Sequence, residues 1–203
     1  MTTKSINDIV EDVLLCMDEA DLNSAELIDG DDAEEVKEII QSKLADAYRW
    51  ANLVADEMLL EPEQGEATLN GKAFTVPYST LRVLGVKADD WNRYVSTFIR
   101  ATDKAYAELS NPITTGTKDN PKVAVVNKGG TNGYSYELYS TDASKATYTF
   151  IPDWNDTFDG EQEVNVSRRV YNAMVAYAAG LTFKAFKDAH GDALINQATT
   201  MIG

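Results

Sequence analysis

The sequence predicts an α+β fold: an N-terminal helical hairpin and a long C-terminal helix bracketing a small antiparallel β region. Three observations point there. Apolar residues recur every three or four positions at both ends of the chain, the period of a helix with one buried stripe. Between those ends lie short runs of β-branched and aromatic residues. Gly, Asn and Pro punctuate the runs at turn positions. A chain of 203 residues can bury one sizeable core. It reads as a single domain over 1–203, with an acidic helical hairpin at 1–65, a mainly β region at 66–155 and a helical segment at 160–203.

Ser5-x-x-Asp8 is a variant capping box, in which each side chain reaches the other residue's backbone N–H, and it opens the first helix. Ile6, Ile9, Val10, Val13, Leu14 and Met17 form that helix's stripe, and Asp21 to Gly30 breaks the pattern. Asp32 then caps a second helix, with Glu34 and Glu35 set against its N-terminal dipole. Its stripe of Val36, Ile40, Leu44, Ala47, Ala51, Val54 and Met58 is expected to be buried along its whole length, and the hairpin ends before Pro62.

Asn70-Gly71 signals a hairpin between Ala67–Leu69 and Ala73–Val76. After Pro77 a strand is expected at Leu81 to Val86 and another at Tyr94 to Ile99, then a short helix around Asp103–Leu109 and an irregular loop from Asn111 to Asn120. Val123–Val126 and Tyr134–Tyr139 flank the turn-rich Gly129-Gly130-Thr131-Asn132-Gly133 and read as a second hairpin; Thr147–Ile151 adds a strand stopped by Pro152. In the last third, Val170, Met174, Tyr177, Leu181 and Ala185 form one stripe of a helix kept narrow by Ala173, Ala176, Ala178, Ala179 and Gly180. Gly191 is expected to kink or break it, with Ala193, Leu194, Ala198 and Met201 continuing a final segment.

Charge is distributed unevenly. Residues 1–65 hold 18 acidic and 4 basic side chains and the remainder 15 and 14, so nearly all of the net −15 lies in the first third. Such a field bears on partners, not on fold. Neutralising phosphates takes clusters of Lys and Arg, and the largest local basic group is Arg168-Arg169, which argues against specific nucleic-acid binding. No run approaches the roughly 18–20 apolar residues of a membrane span. Met1-Thr2-Thr3-Lys4-Ser5 leads into an acidic amphipathic segment, so neither export nor a membrane partner is expected.

Candidate chemical groups are few. The single Cys16 allows no intrachain disulfide, and with Glu11, Asp12, Asp18 and Glu19 around it, it reads as an apolar filler and not as a stabilised thiolate. The single His190 excludes sites that need two imidazoles, and its flanks suggest the end of a helix. Calcium-loop frames starting at Asp21 or Asp29 fail: one puts Ala25 and Glu26 at ligand and glycine places, the other Ala33 and Ile40 at ligand places. Asn127 to Tyr134 lacks the Gly-Lys-Ser/Thr ending of a phosphate loop. Among 33 acidic residues a glycosidase-like carboxylate pair stays open, since spacing along the chain does not report separation. The aromatic run Tyr134, Tyr136, Tyr139, Tyr148, Phe150 and Trp154 suits cross-strand packing, or a protein interface where exposed. No catalytic, cofactor-binding or metal-binding residue is assigned, and no cofactor.

Several stretches together resemble the head–tail connector (adaptor or ring) proteins of tailed bacteriophages, most of all those of crAss-like phages. They are the helix pair ending in Tyr48-Arg49-Trp50-Ala51-Asn52, the strand–proline turn–strand of Phe74-Thr75-Val76-Pro77-Tyr78-Ser79-Thr80-Leu81-Arg82-Val83, the passage Asn111-Pro112-Ile113-Thr114-Thr115-Gly116-Thr117 ahead of Pro121-Lys122-Val123-Ala124-Val125, and the closing helix from Val170 through Ala198. The likeness spans most of the chain, with a longer strand region than the minimal adaptor pattern, and carries no active-site residue across. It implies a non-enzymatic structural protein of the virion, made in the host cytoplasm and located at the head–tail junction. As such it would form a ring of about twelve copies beneath the portal. Its partners would be itself, the portal, other ring or tail proteins, and genomic DNA that passes without specific binding. An acidic channel wall would repel that DNA. Two other readings stand beside this one: a capsid cargo or scaffold protein of the same kind of virus, and a small acidic hydrolase using a carboxylate pair.

Overall fold

The structure, a computed structural model, describes residues 2–20, 33–126, 133–154 and 162–203. In chain order the first elements are β1 (Thr2–Ser5), α1 (Ile6–Ala20) and α2 (Ala33–Val54), then a 3-10 turn at Glu57–Leu59. The central elements are β2 (Glu63–Thr68), β3 (Ala73–Val76), β4 (Thr80–Ala88), β5 (Phe98–Arg100), α3 (Lys104–Glu108), β6 (Lys122–Val126), β7 (Tyr134–Tyr139) and β8 (Lys145–Pro152). The chain closes with β9 (Glu163–Val166), α4 (Arg168–Ala185) and α5 (His190–Ile202). The fold is α+β. The chain divides into two compact units: Met1–Glu61 with Trp154–Gly203, and Pro62–Asp153.

The first unit is helical. Its opening is the capping box read from the sequence: the Asp8 N–H donates to Ser5 Oγ at 3.1 Å and the Ser5 N–H to Asp8 Oδ2 at 3.3 Å. The caps expected of Asp32 and the dipole role of Glu34 lie outside the described residues and side chains. Ile9, Val13, Ile40 and Leu44 are fully buried, and each such side chain contributes about 1.5–3 kcal/mol of burial. The stripe of α2 is buried from Val36 to Ala51, but Val54 and Met58 are exposed, contrary to the expectation. The helix ends at Val54, so the period that would have turned Met58 inward no longer applies.

α1 and α2 touch each other less than they touch α4, which also packs against α5. This explains why α4 is buried on nearly all sides instead of along one stripe: Val170, Ala173, Met174, Val175, Ala176, Ala178 and Ala179 are all inside, while Ala185 at the far end of the expected stripe is exposed. Trp50 of α2 stacks on Tyr177 of α4 with centroids 4.0 Å apart and planes 6° from parallel. The break after α4 is not made by Gly191. The Lys187 N–H donates to the Lys184 carbonyl and the Asp188 N–H to the Phe183 carbonyl, both at 3.0 Å, with Lys187 at φ 59°. This is a Schellman ending with lysine in the left-handed place that glycine usually fills. β1 and β9, neither foreseen, form a two-stranded antiparallel ladder from Thr2↔Val166 to Ser5↔Glu163.

The second unit holds two sheets, ordered β2-β8-β4 and β3-β7-β6-β5. Their facing sides share one core, with Val83, Val86 and Ala146 from one sheet and Phe74, Val123, Tyr136 and Leu138 from the other. The turn at Asn70-Gly71 forms, Gly71 at φ 63° and Asn70 exchanging backbone hydrogen bonds with Ala73, but the strands beside it do not pair. β2 joins β8 and β3 joins β7, so the turn hands the chain from one sheet to the other. β6 and β7 pair antiparallel as expected; the turn at Gly129-Gly130-Thr131-Asn132 lies outside the described residues. The strand expected at Tyr94 to Ile99 shrinks to Phe98–Arg100 with an isolated bridge from Val95 to Val86, and β5 runs parallel to β6. A parallel neighbour needs a crossover, here made through α3 and the loop 111–120.

Candidate functional site

Among the described residues, polar side chains gather at three places, each within one unit. On the outer side of β7, Glu137 is buried because α3 covers that face, Leu109 and Tyr106 packing with Ala124 and Tyr139. The Tyr106 and Tyr139 hydroxyls donate to Glu137 Oε2 at 3.1 and 2.9 Å. Lys72 Nζ stands 3.6 Å from the same oxygen and 4.0 Å above the Tyr139 ring. Burial, helped by the hydrogen bond to Glu137, pushes the Tyr139 hydroxyl up to about 12 and raises that of Tyr106. Both phenol protons are held by one carboxylate oxygen, so the cluster ties α3 to the sheet.

Asp90, between β4 and β5, accepts from Lys118 Nζ at 2.8 Å, from the Thr141 hydroxyl at 2.6 Å and from the Asp142 N–H at 3.1 Å. Burial alone would raise its pKa, but these donors outweigh burial and hold the carboxyl at about 2. In the helical unit, Asp12 accepts from the Tyr171 hydroxyl and pairs with Lys4 at 3.0 Å, joining β1 and α1 to α4. Burial, with Asp12 beside it, raises the Tyr171 pKa.

A groove of about 250 Å³ opens in the β unit, with Val76, Val83 and Val125 in its walls and Arg82, Tyr134 and Tyr136 among its polar groups. Among the described residues, its lining pairs no carboxylate with a base or nucleophile. Among the described residues no group of three or more His, Cys, Asp or Glu is placed to hold a metal ion. Among them too, no helix is long and apolar enough to cross a membrane.

The residues singled out from sequence fall far apart in the fold. Cys16 is half-buried on α1. His190 opens α5 instead of closing a helix, and Asp188 Oδ1 accepts its backbone N–H at 2.8 Å and meets Nδ1 at 2.7 Å. Most positions of the two rejected calcium frames lie outside the described residues. Of the aromatic run, Tyr136, Tyr139 and Trp154 are buried and Tyr134 is exposed against Tyr78.

Sequence reasoning missed the exposed apolar groups. Leu53, Val54 and Met58 are 53%, 49% and 83% exposed at the end of α2, where Asp56 and Glu57 are exposed as well. Ile113, in the irregular loop, is 89% exposed. The available signal was an isolated aliphatic residue between turn-formers, Asn111-Pro112-Ile113-Thr114. What such groups can do is bind other apolar surface. No protein-family model matches the chain, and no curated protein matches it.

Proposed function

We propose that this chain is a structural virion protein without enzymatic activity: a head–tail connector subunit that forms a ring of about twelve copies beneath the portal of a tailed bacteriophage. The observation that carries the reading is the exposed apolar end of α2, where Leu53, Val54 and Met58 stand in water in the single chain. A ring subunit needs two different faces, each unsatisfied until its neighbour arrives. The resemblance in the helix pair, the proline turn and the closing helix supports the same role, and so does the excess of negative charge. A surface that repels phosphate lets DNA slide past without sticking.

The test is an electron cryomicroscopy reconstruction of the intact particle with this chain placed in it. Density for the chain as a closed ring against the portal is the expected result. Density inside the capsid, away from the portal, would replace the ring with a cargo or scaffold protein.

A further inference from the structure

Two buried side-chain hydroxyls border the groove of the β unit without a partner in the protein. Tyr136 and Thr80 are each only 7% exposed. Both line the groove, and among the described residues neither hydroxyl makes a hydrogen bond. Neither is sealed in the interior, so each oxygen still reaches solvent. A buried polar group is normally satisfied by the protein itself, and one left open on a concave surface can be satisfied by a ligand.

The surroundings fix both groups in advance. The Tyr136 ring is held by Phe74, stacked at 5.5 Å, and by Phe98, edge-on at 5.3 Å, so its hydroxyl points one way. Burial pushes that hydroxyl up to about 12, and at neutral pH it keeps a proton to donate. On β4 a register shift between Thr80 and Arg82 interrupts the strand's alternation, and Thr80, Arg82 and Val83 all border the groove. Val76 and Val125 add apolar wall. The volume, about 250 Å³, exceeds the ~150 Å³ of a cavity that takes up benzene. Two hydroxyl donors suit an acceptor with two oxygens. Among the described residues no carboxylate lines the groove and Arg82 does, so a cation is disfavoured. We propose that the groove binds a small monocarboxylate with a compact apolar body, its oxygens accepting from Tyr136 and Thr80 and its body lying against the valines. This site stands apart from the connector role, and its test does not bear on the ring.

The test is an amide NMR titration of the full-length protein with phenylacetate. Phenylacetamide and 2-phenylethylamine serve beside it, close to it in shape but neutral and cationic. Saturable shifts centred on residues 80–83, 125 and 134–136 are expected for phenylacetate, with about tenfold weaker binding of both analogues. Tyr136→Phe keeps the ring between Phe74 and Phe98, and Thr80→Val keeps the shape of the β4 side chain, so each removes a hydroxyl and little else. Each variant is expected to bind phenylacetate about tenfold more weakly while its spectrum stays that of the folded protein. No saturable shift at these residues, equal binding of either analogue, or unchanged affinity in either variant overturns the site.

Discussion

A Cβ added to Gly180 of α4 would lie 2.9 Å from the carbonyl oxygen of Gly191 in α5, and one added to Gly191 would lie 2.8 Å from the carbonyl oxygen of Gly180. Each glycine thus makes room for the other's backbone. On an exposed helix alanine is favoured over glycine by about 1 kcal/mol. Here the obstacle is main chain that cannot swing aside, so sterics win. Gly180→Ala and Gly191→Ala are each expected to destabilise the protein by about 1–3 kcal/mol. Urea midpoints measure it, and a midpoint at or above that of the parent would mean that the two helices part without cost.

Lys187 predicts the opposite sign. It holds φ 59° in the ending of α4, a conformation that costs a side chain with a Cβ about 1–2 kcal/mol. Glycine removes that cost but adds freedom to the unfolded chain. Lys187→Gly is therefore expected to stabilise by about 0.5–1 kcal/mol, seen as a rise of a few degrees in Tm.

Leu44 and Met58 belong to one stripe expected from sequence, yet one is 0% and the other 83% exposed. Leu44→Asp buries an unpaired carboxylate and should cost several kcal/mol. Met58→Asp should change stability by less than about 0.5 kcal/mol. Denaturation of the two variants side by side checks the assignment, and equal losses would place Met58 in the core.

Asp90 makes stability depend on acidity. Its folded pKa of about 2 lies below the ordinary 3.8, so the stabilisation is present above about pH 4 and disappears as pH falls through about 2. The size is roughly 2 kcal/mol at neutral pH. Asp90→Asn should lose that amount at pH 7, and the gap between variant and parent should close between pH 4 and pH 2. A gap that stays constant over this range would show that the carboxylate's charge is not what Lys118 holds.

The acidic excess of the first third of the sequence invites a charge experiment. Changing Asp29, Asp31, Glu34 and Glu38 to amides removes mutual repulsion that acts over about 8 Å at roughly 0.15 M salt. The isolated protein should be as stable as before or slightly more so; under the proposed connector role, particles carrying the changes should assemble or release DNA poorly. Salt-dependent loss of docking would indicate a basic neighbour, and normal assembly with stalled DNA a channel wall. Fully infectious particles would leave the charge as an aid to solubility alone.

What could be read from sequence was what is decided locally. The capping box at Ser5 and Asp8, the tight turn at Asn70-Gly71 and the small-residue face of α4 all rest on neighbours a few positions apart. Strand partners are chosen over long distances. The Asn70-Gly71 turn therefore promised a hairpin, while β2 found its partner in β8. The pairing of β1 with β9 was invisible because Thr2–Ser5 is short and polar, and only Val164 and Val166 hint at a strand opposite. Glu137 sits in a strand where a charged residue reads as solvent-facing; only the arrival of α3 over that side buries it. The exposed end of α2 escaped notice because an apolar period does not say where a helix stops.

The helical unit is built from both ends of the chain, and this sets a timetable for its making. A ribosome that has completed residue 153 has delivered the whole β unit, whereas α1 and α2 still lack α4, the helix both of them pack against. At ordinary rates of synthesis, the interval between Val54 and Arg168 is on the order of 10 s. For that time Ile9, Val13, Ile40 and Leu44 have no permanent cover. The middle part, residues 62–153, can thus be finished first, whereas residues 1–61 must wait for residues 154–203.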